Sequence, residues 1–565
     1  MAIQMAVGDE SFEEIRSAGL YYVDKTELLY DLLGHSRNKV TLFTRPRRFG
    51  KTLNMSMMES FFDITKDSRN LFEGLNILKH GDFCREWMNQ YPVLLISFKD
   101  VDGLNFEEAK KMLSSVLART FLKYADLAEN SDVAPYDKER FQKILSETKE
   151  ISILKNSLDT LMRMMNTVYG KPVILLIDEY DVPLAKASEK NTTENRYYEQ
   201  MLDVIRGIMS ISLKTNEYLK FAVITGCLRI AKEGIYTGLN NPEINTVLMS
   251  GKNDFFGFTE EEVRKLLTDS GVGDHFDQVR EWYDGYRFGD SIIYNPWSVI
   301  KHIEALNRSL TSPPLAYWAN TSGNAIIREL AERADEGTRA KIEQVMQGKE
   351  ISFALRDNIV YNELYKKPDN VLNVMLSAGY LTATSFDGEI IQARIPNREV
   401  LKIYRDQISD WFGESVKTFD VRSLYHALEQ GDSARAEQIL TEEFMSAMSF
   451  YDTVEAFYHG VLLTLMQLNK NYLCTSNRES GSGRFDILAK QKTRWDLAFI
   501  LEAKVSKAPS EMLSDARQGA KQIAEKEYCA ELQREGYGKI MTYSISFCEK
   551  RCRVVQGETL TLPAE

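Results

Sequence analysis

VTLFTRPRRFGKT, residues 40–52, is the stretch that decides the fold. Val40–Phe43 is a strand-length apolar run, and LNMSMMESFF (53–62) follows with Leu53, Met57 and Phe61 on one helical face. A strand, a loop and a helix in that order point backbone N–H groups at phosphate oxygens. The loop lysine then reaches the outer phosphates, and the hydroxyl after it holds Mg²⁺. Gly50, Lys51 and Thr52 fit those roles. The common form of this loop has glycine where this chain has Arg45, and read alone the segment is also a basic turn opening an ordinary helix.

A second element narrows the choice. VILLIDE (173–179) is a buried-strand run ending in two carboxylates. The first, Asp178, is placed to hold Mg²⁺, and the second, Glu179, to orient and deprotonate an attacking water. FAVITGCLRIAKEGI (221–235) is a further strand ending at Thr225, where a polar residue could sense a γ-phosphate, and Arg229 could stabilise charge. Thr225 and Arg229 are equally compatible with a structural role.

Outward from these motifs, short apolar runs alternate with helical patterns through the first 300 residues, which predicts an α/β fold with a mostly parallel sheet. The expected strands are Val40–Phe43, Val93–Phe98, Val173–Ile177 and Phe221–Thr225. Thr259-Glu-Glu-Glu262 has the form of a capping box, and Asn295-Pro296 that of a helix start. NRSLTSPPLAY (307–317) reads as a surface connection. Beyond it, AIIRELAERA and ARAEQILTEEFMSAM are helical, around a short β piece near Gly379–Ala393. A second α/β unit begins near residue 450. The expected domains are 1–305, a mainly helical coupling region at 306–445, and 446–565.

The chain has 565 residues, 44% hydrophobic and 27% charged, with a net charge of −12. That size allows several folding units, each with its own core. The acidic balance argues against bulk coating of nucleic acid and leaves local basic clefts open. Six cysteines without framework spacing fit a reducing compartment, here the cytoplasm. The amino terminus lacks the pattern of an export signal and the apolar runs are strand-length, so no membrane span is expected.

YYVDKT (21–26), RPRRFGKT (45–52), LLIDEYDVPL (175–184), TG (225–226), GLNN (238–241), YDGYRF (283–288) and YNPWS (294–298) together resemble the bacterial AAA-ATPase-like family over residues 5–300. The resemblance implies a P-loop NTPase fold, ATP and Mg²⁺ as cofactors, and a loop form in which arginine at 45 is native. It adds Arg45, Arg48 and Phe49 to the nucleotide-binding set of Gly50, Lys51, Thr52, Asp178, Thr225 and Arg229. Asp24, Lys25 and Arg287 lie in family motifs without a role readable from spacing. Such ATPases often form rings or dimers, so a homo-oligomer is an expectation.

In the last unit, SNRESGSGRFDIL (476–488) enters one strand and LAFILEAKV (497–505) is another. Residues two apart on a strand share a face, so Glu502 and Lys504 project together and Asp486 can join them from a neighbouring strand. Asp486 and Glu502 could bind a hard divalent cation, with Lys504 positioning water or neutralising charge. An acid and a lysine two apart are also a common solvated ion pair. These segments, with EAFYHGVLL (455–463) and the helix around Gln522 and Tyr528, resemble the PD-(D/E)XK nuclease superfamily. That resemblance implies a role for Glu455 near the metal and support from Gln522 and Tyr528. The resulting expectation is an ATPase controlling a Mg²⁺-dependent nuclease that acts on nucleic acid, taken as DNA. The alternative is a nucleotide-dependent regulatory switch whose nuclease-like domain only binds a partner.

Overall fold

The computed structural model describes residues 3–34, 38–189, 197–228, 242–320, 334–346, 348–356, 369–404, 420–445, 458, 462–463, 465–480, 483–492, 497–525, 529–548 and 551–561. The chain forms two compact units, one of residues 1–322 with 350–401, the other of 323–349 with 402–565.

The first unit is built on five parallel strands, β1 (Val40–Thr44), β2 (Val93–Ser97), β3 (Val173–Asp178), β4 (Leu219–Gly226) and β5 (Glu243–Asn245), in the spatial order β2-β3-β4-β1-β5. Side chains alternate between two helical layers. Val173, Leu175 and Ile177 pack in one core, while Ile174 and Leu176 pack in the other. All five are 0% exposed, and each buried side chain of this kind contributes about 2 kcal/mol. A slip of one residue would exchange the faces, so packing sets where Asp178 emerges. The order also places β4 between β1 and β3, which brings Thr225 between the loop after β1 and the acids after β3.

A third core joins the helices Glu260–Asp269, Phe276–Tyr283 and Pro296–Arg308. The first opens with the expected capping box, in which Glu262 Oε2 accepts from Thr259 N at 2.8 Å and Thr259 Oγ1 accepts from Glu262 N at 3.3 Å. The last opens with Asn295 capping Ser298 and with Pro296 at its first position. Lys25 Nζ donates to both Glu262 oxygens at 2.6 Å, and Asp24 accepts from Thr26 N and Asn76 N, so these motif residues are structural ties. The hairpin of β6 (Tyr286–Phe288) and β7 (Ser291–Ile293) adjoins a small antiparallel sheet of β8 (Ile351–Ala354), β9 (Thr382–Phe386) and β10 (Ile390–Arg394). Arg287 connects the two: its N–H donates to Thr382 Oγ1 at 2.8 Å and its guanidinium to the Thr384 carbonyl. Gly285, at φ 93°, lets the chain pass Pro396, whose carbonyl oxygen would lie 2.2 Å from an added β-carbon.

The second unit holds a five-stranded sheet ordered β11 (Tyr472–Ser480), β12 (Gly483–Gln491), β13 (Leu497–Val505), β14 (Lys539–Cys548), β15 (Arg551–Thr561). Its strands are antiparallel except for β13 and β14, which run parallel. One face packs Phe499, Leu501, Ala503, Tyr543 and Ile545 against Leu424, Tyr425 and Leu428 of the helix Val421–Glu429. The other faces the helix Met512–Glu525, with Ala498, Ile500 and Ile540 beside Ile523.

The expected helix AIIRELAERA lies outside the described residues except Ala334. Of the expected helix at 434–448, residues 446–448 lie outside the described residues, and the rest is a short α-helix, Ser433–Gln438, followed by a π-helical turn, Ile439–Met445. No helix among the described residues is long and apolar enough to cross a membrane.

Candidate functional site

In the first unit the loop Arg45–Gly50 leads into the helix Lys51–Phe62, with Gly50 at φ 81° as its amino-terminal cap. That left-handed turn suits glycine and aims the first helical N–H groups into the loop. Lys51 Nζ lies inside it, donating to the carbonyls of Arg45 at 3.0 Å and Pro46 at 2.9 Å, with Cys227 Sγ at 3.8 Å. Thr52 Oγ1 donates to Asp178 Oδ2 at 2.9 Å, and Thr225 Oγ1 donates to Asp178 Oδ1. Thr52, Asp178 and Thr225, drawn from three separate segments, therefore converge. A hydroxyl and a carboxylate meeting in this way are the hard oxygen donors that suit Mg²⁺.

Glu179 follows at φ 52°, a left-handed backbone for a side-chain-bearing residue. Burial raises its pKa, and Asp178 and Asp181 add to this against the pull of Lys51 and Arg47. A carboxyl moved towards neutrality is the better proton acceptor for a water. Asp181, which the sequence reading left unassigned, is buried and accepts from Cys227 N at 3.0 Å and Leu228 N at 2.9 Å. It ties the turn after β3 to the end of β4. A third acid, three residues after Asp178, was the available signal.

The other loop residues differ in placement. Arg45 is 0% exposed and runs beneath the loop, donating to the Thr44 and Asn245 carbonyls at 2.9 Å, to Asn253 Oδ1 at 3.0 Å and to Asn245 Oδ1. Its guanidinium lies 5.2 Å from the ring centres of both Phe256 and Phe288. Burial pushes its pKa down to about 9. Phe49 is buried against Tyr286 and Phe288, and Arg48 stacks over Trp297 at 4.4 Å on the exposed side. Arg45 and Phe49 thus support the loop, and Arg48 lies on its outer side. Arg229 falls outside the described residues.

In the second unit the face shared with Met512–Glu525 changes character along its length. It is apolar at Ala498, Ile500 and Ile540, then polar at Glu502, Lys504, Thr542, Ser544 and Ser546. Glu502 is 3% exposed, and Lys504 Nζ donates to its Oε1 at 3.0 Å. An ionised carboxylate buried this deeply requires a cation beside it. Ile487 pairs with Leu501 in the antiparallel register of β12 and β13. Asp486 and Glu502 are the next residues on their strands, one step beyond that pair.

The helix above explains its glycine. A β-carbon at Gly519 would meet Ser544 Oγ at 2.2 Å and Lys504 Cγ at 3.3 Å, so only glycine allows this approach. One turn earlier, Asp515 Oδ2 accepts from Ser506 Oγ at 2.5 Å, and Ser506 Oγ is 2.6 Å from Ser546 Oγ. Gln522 follows three residues after Gly519 on the same helix. The serines of β14 and Asp515 were not foreseen, because their polarity matters only once the strand pairing is known. Glu455 and Tyr528 lie outside the described residues.

The chain is 25% identical over 380 residues to the "Uncharacterized protein in vnfD 5'region" of Azotobacter chroococcum mcd 1, a match covering 67% of this chain and 64% of that protein's length. Residues 6–236 match the family model described as Predicted AAA-ATPase, and residues 453–557 match the PD-(D/E)XK nuclease superfamily. The chain thus matches an AAA-ATPase-like domain over the residues that include Lys51 and Asp178, and a carboxy-terminal PD-(D/E)XK nuclease superfamily domain over those that include Glu502 and Lys504.

Proposed function

We propose that this protein binds and hydrolyses ATP in its first unit and uses that cycle to control Mg²⁺-dependent cleavage of DNA in its second. One observation carries the reading: in each unit a sheet strand carries a buried carboxylate suited to metal and phosphate chemistry, Asp178 at the end of β3 bound by Thr52 and Thr225, Glu502 within β13 bound by Lys504.

In the ATPase half, loop N–H groups and Lys51 bind the phosphates, and Glu179 accepts a proton from the attacking water. Thr52 and Asp178 would hold Mg²⁺, which when bound neutralises phosphate charge. In the nuclease half, Glu502 and Asp486 would hold the second metal site, and Lys504 positions the hydrolytic water or offsets charge on the scissile phosphate. Glu455 stands with these as a proposed site residue. All six cysteines are free thiols, which supports a cytoplasmic location, and we take a homo-oligomer as the working state.

The test is cleavage of labelled single- and double-stranded DNA with Mg²⁺ or Mn²⁺, with and without ATP. Wild type should cut in a metal-dependent, ATP-sensitive manner. Glu502→Ala should lose cleavage by about 100-fold or more, and Lys51→Ala should lose only the response to ATP. ATP binding without cleavage of either substrate under any condition would instead favour a nucleotide-dependent switch that uses its nuclease-like fold to hold a partner.

A further inference from the structure

Three hydroxyls line the polar end of β14 beneath the helix Met512–Glu525, and the structure uses them differently. Thr542 Oγ1 donates to the Glu558 carbonyl of β15 at 3.0 Å. Ser506 Oγ donates its one proton to Asp515 Oδ2, so Ser546, 2.6 Å away, donates to Ser506. That chain ties the first turn of the helix to the sheet. Ser544 stands between the other two, 0% exposed, and its Oγ has no hydrogen-bond partner among the described residues. A buried hydroxyl left unmet gives up its hydration and gains nothing in return.

The surroundings of Ser544 are specific. It is in register with Glu502 on the same face of adjacent parallel strands, which run about 4.8 Å apart. Lys504, next on that face, is in register with Ser546, and its Nζ donates to Glu502 Oε1 at 3.0 Å. Gly519 of the helix closes over both strands: an added β-carbon would lie 2.2 Å from Ser544 Oγ and 3.3 Å from Lys504 Cγ. The helix thus shuts the Ser544 hydroxyl away from solvent, with the Glu502 carboxylate on the neighbouring strand.

We propose that Ser544 is a positioning residue of the second unit's site: its hydroxyl donates to the Glu502 carboxylate when that carboxylate turns from Lys504 to a divalent cation. The inference rests on the reading of Glu502 as a metal ligand and deepens it. Each carboxylate oxygen has two lone pairs, so Glu502 can accept from the hydroxyl and still bind a cation. The exchange releases the Lys504 ammonium for water or phosphate, and the hydroxyl that is unmet in one arrangement is met in the other. A hydrogen bond of this kind fixes the orientation of a ligating carboxylate, and its loss costs about 10- to 100-fold in metal affinity or activity.

The experiment uses the full chain without nucleotide, as wild type, Ser544→Ala, Ser546→Ala and Glu502→Ala. Mn²⁺ binding is measured by titration calorimetry, the metal-free proteins are melted, and DNA cleavage is followed across Mn²⁺ concentration. Ser544→Ala should melt no lower than wild type, because it removes an unmet hydroxyl, whereas Ser546→Ala removes a bonded one and should melt lower. Ser544→Ala should also bind Mn²⁺ about tenfold more weakly and need about tenfold more Mn²⁺ for half-maximal cleavage. Its rate at saturating Mn²⁺ should stay within about threefold of wild type, with KM for DNA unchanged, because Lys504 is intact. Wild-type Mn²⁺ affinity in Ser544→Ala, with binding lost in Glu502→Ala, would overturn the role of Ser544 and leave the metal site standing. A melting point for Ser544→Ala as low as that of Ser546→Ala would show a hydroxyl already bonded in the metal-free fold and would overturn it equally. Wild type that binds Mn²⁺ no better than Glu502→Ala would overturn the metal-site reading and the inference with it.

Discussion

Arg45 brings a positive charge into the interior, and its described hydrogen bonds go to amide and carbonyl oxygens. Burial lowers its pKa to about 9, which still leaves it charged at neutral pH. The compensation comes from several acceptors at once and from the faces of Phe256 and Phe288. Replacing it by alanine would leave Asn245 and Asn253 oxygens buried without their donor. Arg45→Ala should therefore destabilise the first unit by about 3 kcal/mol, and Arg45→Lys should not restore it, since an ammonium cannot span those acceptors. Thermal melting checks this; an unchanged midpoint in Arg45→Ala would remove Arg45 from the loop's support. The family resemblance placed Arg45 among the nucleotide ligands, because a motif is matched as a string. Whether an arginine points into a site or under it depends on the partners β5 brings, which lie 200 residues away. Asp178 and Thr225 stand at the ends of strands that the apolar runs already marked, and Lys51 and Thr52 open the helix expected after the loop.

At the scale of elements, long apolar runs were readable and short ones were not. The expected strand at 173–177 is observed as Val173–Asp178, and that at 221–225 as Leu219–Gly226. β5 is only Glu243–Asn245, and β8 only Ile351–Ala354, too short to carry a period. The pairing of β10 with both β8 and β9 is a long-range choice that local pattern cannot express. Residues 398–404 are helical and carry one telling group, Glu399. It is fully buried and accepts from Ser298 Oγ and from Trp318 N at 2.9 Å. Burial raises its pKa to about 7, against those hydrogen bonds. The fold thus keeps a proton that the unfolded chain releases near pH 4.5. This contribution to stability is complete below pH 4.5 and lost as pH rises to about 7, by about 1.4 kcal/mol per pH unit within that window. Glu399→Gln lacks the titration, so wild type should weaken relative to it over that range. Parallel pH–stability curves for the two proteins would show that Glu399 ionises normally.

Over the whole molecule, each compact unit has cores of its own: one pair flanks the β2-β3-β4-β1-β5 sheet, another pair flanks the β11–β15 sheet. Units with separate cores can unfold separately, and a ligand raises only the transition of the unit that binds it. Wild type should therefore melt in two steps. ATP with Mg²⁺ at about 100 times its Kd should stabilise the first unit by about 2.7 kcal/mol, and Mn²⁺ alone should raise the second transition. Lys51→Ala should abolish the nucleotide shift and keep the Mn²⁺ shift, while Glu502→Ala should do the reverse. Calorimetry on the three proteins makes the comparison directly. If a single transition responds to both ligands and each substitution removes both responses, the two sites are not independent, and the assignment of one chemistry to each unit fails. If the shifts separate as expected, any effect of ATP on cleavage must be carried as a coupling free energy between two sites that are each complete in their own unit.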